Sequence, residues 1–177
     1  MNSIANWELE SNGFMDGLCV FRVRAGEMCF CPICVGELLK KGWRTRFLVQ
    51  TKASATEDDC FPYEKICLLI QRQKCKDCGK IHHQLPDCVV PYKRFSLGII
   101  EGVIRQPGAP TLIDEDTVKR ILAWWALMAA YIIGAAPSIM EKHHIAIAPG
   151  QKLAAIVRAL ANSHLWPGTR SCFNALL

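Results

Sequence analysis

Two pairs of closely spaced cysteines constrain this chain more than any other feature. The first pair is Cys31-Pro-Ile-Cys34, the second is Cys75-Lys-Asp-Cys78, and a glycine follows each pair within two residues. A Cys-x-x-Cys turn points both sulfurs at one position, and the nearby glycine lets the chain turn away from it. Two such turns supply four thiolates, the ligand set of a closed tetrahedral zinc site. The sequence therefore predicts that all four cysteines bind one Zn²⁺.

Other uses of the cysteines stay open at this stage. The first ten residues are polar and acidic and do not resemble a secretory signal, so we expect a reducing compartment, which favours metal over disulfides. A thioredoxin-like redox pair would leave the second cysteine pair unexplained. A second metal site using Cys60, His82, His83 or Cys88 would lack a paired turn. We expect most of the remaining cysteines to be buried as small apolar residues.

The overall charge is mildly basic but unevenly distributed. The 177 residues carry a net charge of +5, which is too small to indicate nucleic-acid binding by itself, and their number fits one ordinary domain or two small ones. Most of the basic side chains of the first half lie between residues 31 and 96, around the cysteine pairs. This concentration is compatible with a phosphate-binding surface, and the alternative is an ordinary solvated face.

The hydrophobic pattern predicts strands in the first half and helices in the second. Alternation predicts strands over 18–24, 44–51 and 63–74, whereas 37–41 reads as a helical turn or loop and 84–92 as an extended linker. Residues 1–17 give no assignment. Helical spacing predicts helices over 96–105 and 151–162, with a further helix that begins at the cap Asp114 and runs to residue 133 or beyond.

Residues 121–140 carry no charge and approach the length that spans a bilayer. Many of them are alanine, and Gly134 and Pro137 interrupt the far end, which argues against insertion. Membrane association is therefore not expected, and a helix buried in a small helical core is favoured. The predicted fold class is α+β: an N-terminal zinc ribbon with a small antiparallel sheet in residues 1–90, followed by an all-α, helix-turn-helix-like domain in residues 91–177.

Several elements recur in the same order in one known class of protein. They are Cys-Pro-x-Cys, Gly42-Trp43-Arg44-Thr45-Arg46, a strand into Cys-x-x-Cys-Gly, a histidine element that ends in Leu85-Pro86, and Pro91-Tyr92. This order resembles the N-terminal zinc-ribbon module of bacterial transposases and related mobile-element proteins, in which a helix-turn-helix follows. The resemblance covers roughly residues 31–125, with 114–120 similar to the start of the groove-facing helix. The chain has no room for the nuclease domain of a whole transposase.

The resemblance implies a zinc-dependent DNA-binding accessory or regulatory protein of a mobile element, located in the bacterial cytoplasm. Its expected partners are double-stranded DNA and transposase or other subunits of a nucleoprotein complex. No nucleophile motif, P-loop or dinucleotide fingerprint occurs, so no enzymatic activity is predicted. The predicted phosphate contacts are Arg44, Arg46, Lys74, Lys76, Lys80, Lys93 and Arg94.

Three further residues are predicted to read bases. The second helix would present Thr117, Lys119 and Arg120 to the major groove, although a Lys-Arg pair is also common on solvated helix turns. The rival function is a zinc-ribbon adaptor that docks on a larger nucleoprotein complex, because tryptophans of the helical half, such as Trp124 and Trp166, suit a protein interface. Salt-sensitive binding to duplex DNA would distinguish the two functions.

Overall fold

The computed structural model describes residues 2–5, 7–25, 30–31, 33–54, 62–108, 113–144, 147, 152–163 and 165–167. The elements, in chain order, are β1 (Asn2–Ala5), β2 (Trp7–Met15), β3 (Leu18–Ala25), β4 (Leu38–Thr51), β5 (Tyr63–Cys75), β6 (Ile81–Pro86), α1 (Leu97–Arg105), α2 (Glu115–His143) and α3 (Leu153–Asn162). The chain forms two compact units, residues 1–99 and 100–177. This boundary lies within α1, whereas the sequence predicts it at residue 90.

One mixed sheet contains the six strands found in the described residues. The strand order is β1-β6-β5-β3-β2, and β4 also pairs with β5. β5 runs antiparallel to β4 and β6 and parallel to β3, while β1 runs parallel to β6. As the central strand, β5 is buried on both faces: Ile66, Leu68 and Ile70 lie on one face, and Cys67 and Gln71 lie on the other.

The predicted fold class is wrong. Long strands lead the chain and form a six-stranded mixed sheet, in place of a small antiparallel ribbon followed by an all-helical, helix-turn-helix-like domain. The error arises because β1 and β2 lie in the residues that gave no assignment, and because parallel pairs join β1 to β6 and β3 to β5. Local periodicity does not indicate which strands pair or in which direction, because the partners lie far apart in the sequence.

The predictions of individual strands are more accurate than the predicted fold class. The strands predicted over 18–24, 44–51 and 63–74 are confirmed as β3, β4 and β5. The helical turn or loop over 37–41 is wrong, because β4 begins at Leu38 and continues through a bulge between Lys40 and Gly42. The extended segment over 84–92 begins inside β6. Residues Val89 and Phe95 then make isolated bridges with Ser96 and Val49, which keeps this segment attached to the first unit.

α1, α2 and α3 begin at or close to the residues that the sequence predicts. The Ser96 hydroxyl accepts from the Ile99 N–H at 3.4 Å at the start of α1, and the Asp114 carboxylate accepts from the Thr117 N–H at 2.8 Å at the start of α2. In the second unit, Met128, Ile132 and Ile139 of α2 share a buried cluster with residues of α3. α1 and α2 therefore begin at residues whose capping role can be read from the sequence, whereas Lys152 before α3 makes no side-chain cap hydrogen bond.

Burial of α2 is partial. Its other side includes Ile133 and Met140, which are 76% and 54% exposed, so the predicted burial in a helical core holds for one face. By length and apolar composition alone, the segment Glu115–Glu141 could cross a membrane, and 17% of its most apolar part is buried. Core helices of water-soluble proteins can meet the same two criteria.

Candidate metal centre and basic cleft

Four cysteine sulfurs from two turns meet at one point of the first unit. Cys31 and Cys34 lie in the turn that precedes β4, Cys75 is the last residue of β5, and Cys78 lies in the turn that leads to β6. All four Sγ atoms lie within 4.8 Å of one another. The separations are 3.4 Å between Cys34 and Cys75 and 3.6 Å between Cys31 and Cys78. This cluster could hold a metal ion.

The sulfur separations match a tetrahedral metal better than a disulfide. A disulfide would join two sulfurs at about 2.05 Å, whereas four sulfurs about 2.3 Å from one zinc would lie about 3.8 Å apart. The four cysteines are indeed free of disulfides. Cys60, which the sequence offers for a second site, lies outside the described residues. Within the described part of the chain, no other cluster of potential metal ligands of this kind occurs.

Backbone hydrogen bonds shape both cysteine turns. The Val35 N–H donates to the Cys31 carbonyl at 2.7 Å, and the Gly79 N–H donates to the Cys75 carbonyl at 3.1 Å. Val35 and Gly79 have φ angles of 61° and 69°, in the left-handed region that glycine tolerates best. Each turn therefore reverses the chain directly after its second cysteine, which leaves the sulfurs on the inside.

The two turns are also packed against each other. The Lys76 N–H of the second turn donates to the Glu37 carbonyl that follows the first turn, at 3.0 Å. A Cβ atom on Gly36 would lie 2.1 Å from the nearer carboxylate oxygen of Asp77. Since a real Cβ cannot approach another atom so closely, a larger residue at this position would displace the Asp77 side chain. The glycine two residues after Cys34 therefore serves the contact between the turns.

The cysteine thiols influence one another's protonation. Burial raises the pKa of the Cys31 thiol, but hydrogen bonds from the backbone of Ile33 and Cys34, with help from neighbouring thiols, lower it to about 7. At Cys34, the backbone hydrogen bond from Gly36 lowers the pKa, but the Cys75 thiol, burial and the other thiols raise it to about 12. Adjacent thiolates repel each other, so a bound cation is what allows all four to ionise together.

A buried histidine contacts the sulfur cluster. His82 of β6 is fully buried, and its Nε2 lies 3.5 Å from the Cys31 Sγ. A metal-bound thiolate has no proton to give, so Nε2–H would be the donor in the loaded site. This contact brings a β6 side chain to the centre that joins β4 and β5.

A basic cleft of about 240 Å³ lies elsewhere in the first unit. It is bounded by β4, by β5 and β6, and by the segment that precedes α1. Its lining comprises Arg44, Thr45, Arg46, Phe47, Ile70, His83, Leu85, Tyr92, Lys93 and Arg94. Four of these residues are cations predicted to bind phosphate, and the described lining contains no carboxylate. The structure therefore brings together Arg44, Arg46, Lys93 and Arg94.

Two groups in the cleft have strongly shifted pKa values. Burial, followed by the charge of Arg44, lowers the pKa of Arg46 to about 10. Burial and nearby cations, including Arg44 and Arg72, lower the pKa of His83 to about 4. Arg46 remains charged at pH 7 and His83 is neutral, so the cleft carries an excess of positive charge. Such a site is favourable for a bound anion.

The other residues that were predicted to contact DNA lie outside the basic cleft. Lys74, Lys76 and Lys80 are exposed near the metal centre, and the Lys76 ammonium lies 3.9 Å from the Glu37 carboxylate. In the second unit, Lys119 pairs with Glu115 at 2.8 Å. These residues do not line the basic cleft.

The predicted base-reading set contains one residue that is not accessible. Thr117 is 4% exposed, and its hydroxyl accepts from the Arg120 guanidinium at 2.9 Å. The same guanidinium lies 3.8 Å from the Asp114 carboxylate. Thr117 and Arg120 are thus engaged in the first turn of α2, and burial removes Thr117 from contact with a base.

A family model matches part of this chain. The family model described as a domain of unknown function (DUF6431) matches residues 31–121, which is 91 of 177 residues and therefore more than half of the chain. The chain belongs to this family. The DUF6431 region contains the four cysteines, the basic cleft and the start of α2, and it omits β1 to β3. No curated protein and no solved structure matches the chain.

Sequence reasoning missed three features of this DUF6431 chain. It did not connect His82 with the first cysteine pair, although the histidine follows the second pair by four residues. It attached no role to Tyr92, which lines the cleft with a φ angle of 63°. It did not anticipate the contact between Gly36 and Asp77. The positions of the histidine and of the Pro-Tyr dipeptide were visible, but their contacts depend on the sheet topology.

Proposed function

We propose that this protein is a zinc-dependent DNA-binding accessory or regulatory protein of a mobile element, and that its basic cleft binds DNA phosphates. The observation that carries the proposal is the group of four cations around one cleft whose described lining has no acidic residue. The mobile-element setting and a transposase partner rest on the sequence resemblance. The family match is neutral on this point, since its function is unknown.

The arrangement of Arg46 favours an anionic ligand. Its Nη2 donates to the Val90 carbonyl at 2.8 Å and to the Lys93 carbonyl at 2.5 Å. These two neutral acceptors position the guanidinium without cancelling its charge. Burial and, after it, repulsion from Arg44 lower the pKa of Arg46, and a phosphate bound between the two cations would relieve that repulsion.

The metal centre has a structural role in this proposal. Four thiolates close a tetrahedral site and leave no position for substrate, and thiolate ligands favour zinc among the metals that take this geometry. Leu38, where β4 begins, pairs with Cys75, where β5 ends. A bound ion therefore fixes one end of the strand pair from which Arg44 and Arg46 project.

The zinc assignment is tested by metal analysis of the purified protein. We expect one zinc per chain, and we expect Co²⁺ substitution to give the absorption of a tetrahedral tetrathiolate site. Cys75→Ser should lose the metal, whereas Cys67→Ser, which alters a buried cysteine outside the cluster, should retain it. A different resident metal, or unchanged zinc in Cys75→Ser, would contradict the assignment.

The DNA-binding role is tested by the salt dependence of binding. Fluorescence anisotropy with a labelled duplex should show affinity that falls steeply as salt increases, and Arg44→Ala or Arg94→Ala should reduce the log–log salt slope by about 1. Lys41→Ala is a matched control, because Lys41 is an exposed cation of β4 outside the cleft lining. Equal losses in all three variants, or no duplex binding at low salt, would overturn the proposal.

One observation favours an adaptor as the second candidate. Leu39, Trp43 and Phe47 of β4 are 47%, 42% and 45% exposed, and β5 is the only strand paired with β4 in the described sheet. Exposed aromatic residues on a sheet edge suit a protein partner. Salt-insensitive capture of transposase that Trp43→Ala abolishes, without DNA binding, would support this candidate in place of the first.

A further inference from the structure

The turn at the rim of the basic cleft has an unusual residue at its third position. The Lys93 N–H donates to the Val90 carbonyl at 3.1 Å and closes a turn with Pro91 and Tyr92 at its centre. Tyr92 has a φ angle of 63°. A four-residue turn whose third residue has a positive φ angle favours proline at the second position and glycine or asparagine at the third. A bulky aromatic residue therefore occupies a position where its backbone is strained.

The strained residue is also exposed at the cleft. Tyr92 is 60% exposed and lines the cleft together with Arg44, Lys93 and Arg94. The Arg46 guanidinium binds the carbonyls of Val90 and Lys93, which are the first and last residues of the turn. The turn is therefore held in place by one cation, while an accessible ring lies beside the others. Strained residues of this kind are found at ligand-binding sites.

The volume and the charge of the cleft restrict which ligands it can bind. A volume of about 240 Å³ is more than an isolated water or small ion needs. A phosphate monoester carries a charge of about −1.5 to −2 at pH 7, whereas a phosphodiester within a strand carries −1. Four cations with no carboxylate in the described lining favour the more highly charged group.

The exposed ring indicates what adjoins the phosphate. Aromatic side chains stack on the faces of bases, which neighbouring base pairs cover inside a duplex and which an unpaired base at a strand end exposes. We propose that the cleft binds the terminal phosphate of a DNA strand, with the adjoining unpaired base stacked on Tyr92. This inference rests on the proposed DNA-binding function and names the part of the DNA that the cleft takes.

The test compares DNA ends of defined chemistry. Anisotropy competition would use duplexes with a three-nucleotide unpaired overhang that bears a 5′-phosphate, a 3′-phosphate or only hydroxyl groups, together with a closed circular duplex. We expect one phosphorylated overhang to bind about tenfold more tightly than the hydroxyl overhang or the circle. Internal phosphates are present in every probe, so this difference isolates the terminal group.

Substitutions of Tyr92 test the stacking. Tyr92→Gly relieves the backbone strain and removes the ring, and should weaken binding of the phosphorylated overhang by roughly 5- to 150-fold. Tyr92→Phe keeps the ring and should bind as the natural protein does. Zinc content and thermal unfolding of both variants verify that they fold.

Each outcome bears on one claim. Equal binding of phosphorylated, hydroxyl and circular DNA would overturn the end-binding inference while leaving DNA binding intact. A preference for phosphorylated ends that Tyr92→Gly leaves unchanged would overturn it as well, because the ring would then have no part in recognition. Absence of binding to every probe would overturn the proposed function itself.

Discussion

Gly36 lies where the first cysteine turn packs against the second. Its substitution therefore tests whether this contact between the turns supports metal binding. Gly36→Ala would bring a Cβ to 2.1 Å from an Asp77 carboxylate oxygen and displace that side chain. Overpacking costs about 1–3 kcal/mol, so we expect metal affinity, measured by chelator competition, to fall roughly 5- to 150-fold. Gly102→Ala is the control, since its Cβ would meet nothing within 4 Å.

A second variant shows whether the clash is the cause. Asp77→Ala removes the two atoms nearest to the added methyl group and leaves only a Cβ at 3.2 Å. In the Gly36→Ala background it should recover most of the lost affinity, which a double-mutant cycle would report as positive coupling. Purely additive effects would contradict a direct contact between the two turns.

His82 is the residue that links the metal centre to β6. It is fully buried with Nε2 3.5 Å from the Cys31 sulfur, so its loss should leave that sulfur with one fewer hydrogen bond. Outer partners of metal ligands typically contribute 10- to 100-fold to affinity, and we expect a loss of about that size for His82→Ala in chelator competition. His83→Ala, next in sequence but lining the cleft, should retain full metal affinity. Equal losses of metal affinity in the two variants would indicate a general effect on β6, not a specific contact between His82 and the sulfur.

At the scale of elements, the sequence correctly predicts the strands and helices whose formation depends on neighbouring residues in the chain. β3 and β5 follow from their apolar and β-branched residues, and α1 and α2 begin at the capping residues Ser96 and Asp114. The beginning of β4 was missed because Leu38 to Lys41 lie on a mostly exposed strand that contains a bulge. Because residues 39–41 are exposed on both faces of the sheet, the start of β4 lacks the alternation by which its later part, 44–51, was recognised.

The cap of α2 gives an element-scale prediction. Hydrogen bonds from Thr117 lower the pKa of Asp114, and Arg120 adds to this. Because the folded pKa lies below the unfolded value of 3.8, the carboxylate stabilises the helix above pH 3.8 and loses this effect as the pH falls through the folded value. Asp114→Ala should lower the melting temperature at pH 7 by a few degrees, measured by circular dichroism.

The matched substitution separates capping from charge. Asp114→Asn retains a side-chain oxygen that accepts from the Thr117 N–H, so it should melt close to the natural protein at pH 7. Its stability should also fall less than that of the natural protein as the pH decreases below 3.8, because it lacks the carboxyl group of Asp114. If Asp114→Asn instead behaves as Asp114→Ala does, the charge beside Arg120 matters more than the hydrogen bond.

At the scale of the whole molecule, the sequence identified ligands and charges better than topology. Four cysteines and the cations of the cleft could be singled out because residue type and spacing specify their chemistry. The meeting of Arg44 of β4 with Lys93 could not, because the segment that carries Lys93 is attached to β4 by a bridge between Val49 and Phe95, which lie far apart in the sequence. The residues that form a site can be recognised from their type and spacing in the sequence, whereas their arrangement in space depends on the complete fold.

Removal of the metal should affect the two units differently. The cysteine centre joins the start of β4, the end of β5 and, through His82, β6, all in the unit of residues 1–99. The helical unit has its own buried cluster, which includes Met128 and Leu160. Because structural zinc contributes directly to folding, a strong chelator should abolish protection of β4 to β6 in hydrogen–deuterium exchange while α2 and α3 keep theirs.

Restoring Zn²⁺ should return protection to the strands, whereas Cys75→Ser should remain unprotected with or without added zinc. If chelation released α2 and α3 together with the strands, the two units would form one cooperative structure and the metal would stabilise all of it. If the strands stayed protected, the buried side chains of β5, among them Ile66 and Leu68, would suffice to hold the sheet without the ion.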